Sequence, residues 1–193
     1  MKRGGSISKI VAQIALLSIV AACRPPGELR HWENVPTESL QPPASPPSGW
    51  QRVPLPKDHC SIAFPTLPKE VSYEQNGFRY HALMSGDGDL TYVLQIAEPA
   101  PHTESDFADF AAGAEDSFIE TMKAKGVNLV KIPDRYFVLN GKSGRQAVLK
   151  SQTHKFMVRT FAGDEKSYIL MCGGSASNVD WRAETFLNSF ELQ

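Results

Sequence analysis

Residues 103–126 have the sequence TESDFADFAAGAEDSFIETMKAKG, the longest helical pattern in the chain, and strand patterns lie on both sides of it. Its apolar residues recur with a period of 3.6, which predicts one buried helix face. That face comprises Phe107, Phe110, Ala111, Ala114, Phe118 and Met122. Thr103 and Asp106 form a capping-box start and Gly126 ends the pattern, so a helix is predicted between them.

Short strand patterns precede this helix. Cys60–Phe64 alternates in polarity and stops at a proline, and Leu90–Ala97 alternates over eight residues. Val71–Tyr73 and Phe78–Met84 lie on either side of Asn76-Gly77, a dipeptide typical of tight hairpin turns. These patterns predict an antiparallel arrangement in the first half of the domain.

Further strand patterns and a second helix follow the first helix. The predicted strands are Leu129–Ile132, Tyr136–Leu139, Arg145–Ser151, Phe156–Ala162 and Tyr168–Cys172. Asn178 can cap a final helix, whose apolar face is Val179, Ala183, Phe186, Leu187 and Phe190. Strands, helix, strands and helix in this order predict an α+β fold, in which helices pack on an antiparallel sheet.

The N-terminus has the three parts of an export signal. Residues 1–22 carry a basic start, a short apolar segment and small residues before Cys23. Val20-Ala21-Ala22-Cys23 resembles the lipobox of bacterial lipoproteins. The resemblance implies that residues 1–22 are removed and that Cys23 is acylated, which anchors the protein in a membrane.

The net charge indicates which partners are excluded, and the residue after Cys23 indicates which membrane is favoured. Removal of residues 1–22 leaves 17 basic and 21 acidic residues, a net charge of −4, which argues against nucleic acid as a partner. Arg24 stands where an aspartate often marks inner-membrane retention. We therefore expect a lipid-anchored protein of the bacterial envelope, at the outer membrane facing the periplasm in preference to the inner membrane.

A proline-rich segment separates the anchor from the domain. Eleven of the 14 prolines lie between Pro25 and Pro68, and residues 23–49 are predicted to be a disordered tether. Fully extended, residues 24–49 would span roughly 80 Å. Residues 50–193 are predicted to form a single α+β domain.

The domain resembles the PsbP-like fold. The resemblance rests on Phe64-Pro65-Thr66-Leu67-Pro68 at a strand end, the central amphipathic helix, the Asn140–Arg145 hairpin, Tyr168 on a strand and Phe186–Phe190 at the close. It covers about residues 50–193 and implies an α/β/α sandwich. It further implies a binding or assembly-assisting module in preference to an enzyme.

Two cysteines remain for the domain. Cys60 and Cys172 are a possible disulfide if their strands are neighbours, because an export compartment permits disulfides. Two buried free thiols are the alternative. His59 adjoins Cys60, but successive strand residues point to opposite faces, so they make a poor nucleophile–base pair.

No catalytic, metal or cofactor motif is evident. The five histidines lack zinc-binding spacing and are interpreted as scattered surface or half-buried residues. Gly86–Asp89 is interpreted as a hairpin turn, because a calcium loop needs more oxygen ligands. Gly141-Lys142-Ser143 lacks the first glycine of a phosphate-binding loop, so no nucleotide is expected.

Three function hypotheses remain open. The first is a binding or scaffold lipoprotein that presents its domain to an envelope protein or small ligand. The second is an envelope enzyme with catalytic residues dispersed in the sequence, and the third is an accessory subunit of an envelope or secretion complex. Glu115, Asp116 and Glu120 are interpreted as a solvated stripe on the central helix, with a docking face for a basic partner as the alternative.

Overall fold

The computed structural model describes residues 37–39, 45–75, 77–101, 103–139, 142–175 and 179–193. In chain order these residues form β1 (Thr37–Ser39), β2 (Gln51–Leu55), a 3-10 turn (Pro56–Asp58), β3 (Cys60–Phe64), β4 (Lys69–Gln75), β5 (Phe78–Asp87), β6 (Leu90–Glu98), α1 (Glu104–Ala124), β7 (Val130–Leu139), β8 (Lys142–Lys150), β9 (His154–Ala162), β10 (Ser167–Ser175), α2 (Asp180–Asn188) and β11 (Glu191–Leu192).

The strands form one large and one small sheet. The large sheet has the order β1-β7-β8-β9-β10-β6-β5-β4, and the small sheet has the order β11-β3-β2. All pairings are antiparallel except that of β1 with β7. The predicted antiparallel sheet with packed helices is therefore confirmed.

The large sheet is covered on both faces. Helix α1 packs on one face, where Phe118 and Met122 meet Phe156 and Met171. Helix α2 and the small sheet pack on the other face, where the ring of Phe186 contacts both Phe64 and Tyr92. The alternation in Leu90–Ala97 predicts a strand with one apolar face, but in the structure both faces of this strand are buried.

Helix α1 has the predicted ends and face. Thr103 Oγ1 accepts a hydrogen bond from the Asp106 amide at 3.1 Å, which caps the first turn. Gly126 takes φ of +82°, a conformation in which glycine is favoured after a helix. The buried face includes Phe107, Ala111, Ala114, Phe118 and Met122.

Glu115 corrects the prediction of a solvated acidic stripe. Its side chain is 1% exposed, and Arg145 Nη2 donates to its Oε2 at 2.8 Å. Lys131 also pairs with this carboxylate. Glu115 lies four residues after Ala111 and three before Phe118, so the helical period places it beside the apolar face. The pairs join α1 to β7 and β8, whereas Asp116 and Glu120 are exposed.

The second half of the sheet differs from the prediction at β7. Two strands were expected, over 129–132 and 136–139, but a single strand runs from Val130 to Leu139. Its register against β8 shifts between Ile132 and Arg135. Pro133 lies in that interval and has no amide hydrogen to donate, which accounts for the shift in register.

Helix α2 begins at Asp180, and its predicted apolar face is buried. Ser175 ends β10 and does not belong to the helix. Gly173 belongs to the same strand, and a Cβ there would lie 2.2 Å from Phe156 Cδ1. Glycine thus allows the Phe156 ring to pack against the backbone of β10.

Part of the predicted tether lies in the large sheet. Thr37–Ser39 pairs in parallel with Tyr136–Val138 at the β7 edge, so the segment 23–49 is not a free spacer throughout. Residues 1–36, with the predicted signal peptide and Cys23, lie outside the described residues. So do 40–44, Asn76, His102, Asn140-Gly141 and 176–178, which include turn residues of both predicted hairpins and the Asn178 cap.

Replacement of Glu115 by glutamine is expected to lower the free energy of unfolding by about 3 kcal/mol, because it leaves the buried Arg145 without its carboxylate. Urea denaturation measures the change. The control is Glu120→Gln on the same helix, where an exposed pair with Lys123 is lost and a change under about 0.5 kcal/mol is expected. Equal effects would show that Glu115 does not hold α1 on the sheet.

Candidate functional site

A cleft of about 330 Å³ lies where the cover of the large sheet ends. Strands β4 and β5 form its floor, and the 3-10 turn before β3 forms one wall. We call it the Asp58 cleft; it is lined by Asp58, Ser72, Tyr73, Glu74, Arg79, Tyr80, His81, Ile96, Glu98 and Lys166. A concave surface with converging charged groups is the usual setting of a binding site.

The 3-10 turn presents Asp58 to the cleft. Pro56 begins the turn with a backbone angle suited to a helical start. His59 ends it with φ of 51°, and its amide donates to Pro56 O at 3.4 Å. The turn leaves His59 exposed but buries Asp58 and Cys60, so the adjacent His59 and Cys60 do not share one surface.

Asp58 receives hydrogen bonds from three elements. Lys166 Nζ donates to Asp58 Oδ1 at 2.7 Å and to Lys57 O at 2.8 Å. Tyr168 Oη donates to Asp58 O at 2.8 Å, and His81 Nδ1 lies 2.8 Å from Asp58 Oδ2. The carboxylate therefore links the turn to β5 and to the loop that precedes β10, and the backbone carbonyl of Asp58 links it to β10.

His81 bridges two carboxylates. Its Nδ1 contacts Asp58, and its Nε2 lies 2.8 Å from Glu70 Oε1 on β4. A neutral imidazole can donate from one nitrogen only, so the imidazolium form satisfies both contacts at once. Asp58 is the buried partner, whereas the Glu70 side chain is 67% exposed.

The network holds Asp58 ionised. Burial by itself would raise the pKa of Asp58, but the hydrogen bonds and positive charges of Lys166 and His81 outweigh it and lower the pKa below its ordinary value. The carboxylate is therefore negative at neutral pH, and it can attract cationic groups that enter the cleft.

The outer part of the cleft is polar and accessible. Arg79 Nη2 pairs with Glu98 Oε1 at 2.9 Å across neighbouring strands. Glu74 is exposed and lies opposite Arg79 on β4. Tyr73 and Tyr80 stack with ring centroids 4.9 Å apart, which stiffens the two outer strands.

The described residues around the cleft do not assemble a nucleophile with a base. Cys60 follows the 3-10 turn but is 0% exposed, and burial, followed by the charge of Asp58, raises its pKa to about 12. The thiol is therefore protonated at neutral pH. His81 Nε2, the nitrogen that a nucleophile would use, is bound to Glu70.

Cys60 and Cys172 are buried free thiols in the structure. They lie on β3 and β10, which belong to different sheets, so the neighbouring-strand condition for the possible disulfide is not met. Burial also raises the pKa of Cys172.

The other residues considered from the sequence do not join the cleft. His154 contacts Thr153 and stacks on Phe156 at the other end of the sheet. Gly86–Asp89 forms the predicted hairpin turn, in which Asp87 pairs with Arg182. Within the described part of the chain, no group of three or more His, Cys, Asp or Glu is placed to hold a metal ion.

The sequence did not reveal His81 as a site residue. Its partners Asp58 and Glu70 are 23 and 11 residues away, a separation that matches no motif. One available signal was the alternation of β4 and β5, which places Glu70, Ser72 and His81 on the same sheet face across a predicted hairpin.

Comparison with known proteins confirms the fold. No protein-family model matches the chain, and no curated protein matches its sequence. The structure is similar to the solution structure of cyanobacterial PsbP (CyanoP) from Synechocystis sp. PCC 6803, with a TM-score of 0.54 and 14% identity. The likeness covers 76% of this chain and 94% of that chain. It shows a shared PsbP-like fold.

Replacement of Asp58 by asparagine should change how the free energy of unfolding depends on pH at acidic pH. Because the pKa of Asp58 is lower in the folded chain, its contribution is present above pH about 4 and is lost as pH falls through the folded-state value. At pH 7 the free energy of unfolding of the variant should be lower by about 2 kcal/mol, which is the scale of hydrogen bonds to a charged group.

Urea denaturation between pH 2 and 7 measures both effects. The difference between wild type and Asp58→Asn should shrink as the pH falls below 4. The matched control is Glu165→Gln, which removes an exposed carboxylate beside Lys166. Its free energy of unfolding should match that of wild type at each pH. A constant difference at every pH would contradict the ionised state assigned to Asp58.

Proposed function

We propose that this chain is a lipid-anchored lipoprotein of the bacterial envelope, and that its α+β domain binds a protein or a small polar ligand through the Asp58 cleft. The observation that carries the proposal is the network of Asp58, His81, Glu70 and Lys166. It organises charged side chains from separate elements at an accessible cleft, with the exposed Glu70 carboxylate at its outer side.

Binding accounts for the cleft better than catalysis does. Both nitrogens of His81 contact carboxylates, and the nearby thiol of Cys60 is buried and protonated. The contacts among these groups are those of a rigid, preorganised surface, which lowers the entropy cost of binding.

An envelope enzyme is the alternative, and one observation favours it. An aspartate bound to Nδ1 of a histidine is also the orienting half of a catalytic triad. That role would require Glu70 to leave Nε2 and the substrate to supply the reacting group. An accessory subunit of an envelope complex is a special case of the binding proposal, in which the partner is a resident protein of the complex.

The anchor and the location belong to the same proposal. The lipobox-like run ending at Cys23 supports acylation, and Arg24 after it supports the outer membrane, facing the periplasm. Within the described residues, neither helix combines the length and the apolar character needed to cross a bilayer. Attachment to a membrane raises the effective concentration of the domain for a co-anchored partner, so a weak site would suffice.

Intact-mass analysis of protein purified from membranes tests the anchor. Loss of residues 1–22 together with an added acyl mass is expected, because Cys23 would become the acylated first residue. Cys23→Ala should lack the acyl mass and should leave the membrane fraction. A mature chain without lipid, recovered in the soluble fraction, would overturn the anchored form of the proposal.

Site-specific photo-cross-linking in cells tests the cleft. A photoreactive residue in place of Ser72 on the cleft floor is expected to give a discrete adduct. The same residue in place of Glu184, an exposed position on α2, should not give it. Loss of the adduct on Asp58→Asn would tie the contact to the charged network. Identical adducts from both positions, or none from Ser72, would count against binding at the cleft.

A further inference from the structure

We propose that the outer edge of β4 takes up an extended peptide segment as a ninth strand of the large sheet, and that this segment carries Lys or Arg at two positions four residues apart. The inference rests on the proposed binding function and names the class of its partner. It is argued from the backbone of β4 and from the side chains on its two faces.

The backbone of β4 supplies an edge for strand addition. Lys69–Gln75 is the last strand of the large sheet, paired with β5 over seven residues, and no described residue pairs with its outer side. Alternate amide and carbonyl groups of an edge strand point outward and can bond an added strand. At the opposite edge, the chain's own Thr37–Ser39 pairs with β7 in this way.

The cleft-facing side of β4 is acidic. Glu70, Ser72 and Glu74 alternate on this face and all three are exposed, so two carboxylates stand four residues apart. Glu98 and Asp58 lie behind them in the same cleft. A strand paired with β4 would place its own side chains directly opposite these residues, where opposite charges stabilise the pair.

The other side of β4 is less polar. Val71 and Tyr73 point to the α1 face and are half-buried, and Tyr73 is held by its stack on Tyr80 and by a hydrogen bond from Gln95. Apolar side chains of an added strand would contact them. The matching segment therefore has the order basic, apolar, small, apolar, basic.

The same charges disfavour a second copy of this chain as the occupant. If two β4 strands paired in antiparallel fashion about Ser72, Glu70 of one copy would face Glu74 of the other. Like charges directly opposite destabilise a strand pair. The edge therefore rejects itself and selects a basic segment, which is how a specific interface separates partners.

Titration of the purified full-length protein with a synthetic peptide tests the inference. The probe is acetyl-Thr-Lys-Val-Ser-Val-Lys-Thr-amide, with glutamate in place of both lysines as the charge control. A second control carries proline at the three central positions, which removes their amide donors. Amide hydrogen exchange of β4 and the dissociation constant of the probe are measured together.

The lysine peptide is expected to bind and to slow exchange along β4, and neither control should do so. Glu70→Gln combined with Glu74→Gln should raise the dissociation constant about threefold to tenfold, the scale of two exposed cross-strand pairs. Glu184→Gln, which removes an exposed charge from α2, should leave it unchanged.

Three other results would overturn the inference in distinguishable ways. A change in the chemical shifts of the His81 ring without slower amide exchange in β4 would show that the cleft binds the probe but that no strand is added. The proposed function would then hold without this inference. If the lysine and glutamate peptides slowed exchange equally, β4 would bind an added strand without selecting basic residues. Absence of any effect on β4 or His81 at millimolar peptide would overturn strand addition, while the cross-linking from Ser72 separately decides the proposed function.

Discussion

The structure depends on the need to cover both faces of its central strands. Leu90–Ala97 of β6 is buried on both sides, and nearly all of β10 is as well. Helix α1 covers one face, and α2 with the small sheet covers the other. The second cover is narrower than the eight-stranded sheet, so the outer strands β4 and β5 expose polar side chains on that side. The Asp58 cleft lies at the boundary between the covered and the uncovered parts of this sheet face.

Two buried carboxylates hold the layers together in different ways. Glu115 lies between α1 and the sheet with a 1% exposed side chain, and Arg145 and Lys131 neutralise it. The carboxylate and Arg145 are closed to solvent, and the pairing holds the helix in place. Asp58 is buried too, but its network continues through His81 to the exposed Glu70. Since burial of a charge is costly without partners, both sites require their cations. Only the second network also reaches an exposed carboxylate.

Local signals explain what could be predicted. Thr103 and Gly126 delimit α1 because capping and glycine conformation depend on adjacent residues, and the hairpin of β4 and β5 follows from a short turn between alternating segments. Glu115 was assigned to a solvated stripe because acidic residues usually face water, although its helical position beside Ala111 and Phe118 indicated burial. His81 was missed because its partners come from other elements.

The sequence by itself determined the order and type of most elements from β3 to α2, the ends of α1 and the apolar faces, because these follow from the chemistry of neighbouring residues and from periodicity. It also predicts the acylated Cys23 through a short consecutive motif. Only the tertiary structure decided that Asp58, His81 and Lys166 meet, that Cys60 and Cys172 lie in different sheets, and that Thr37–Ser39 pairs with β7. The contacts among them join residues up to 108 positions apart in the chain. They form because two layers must fit over one sheet, a requirement that no local pattern encodes.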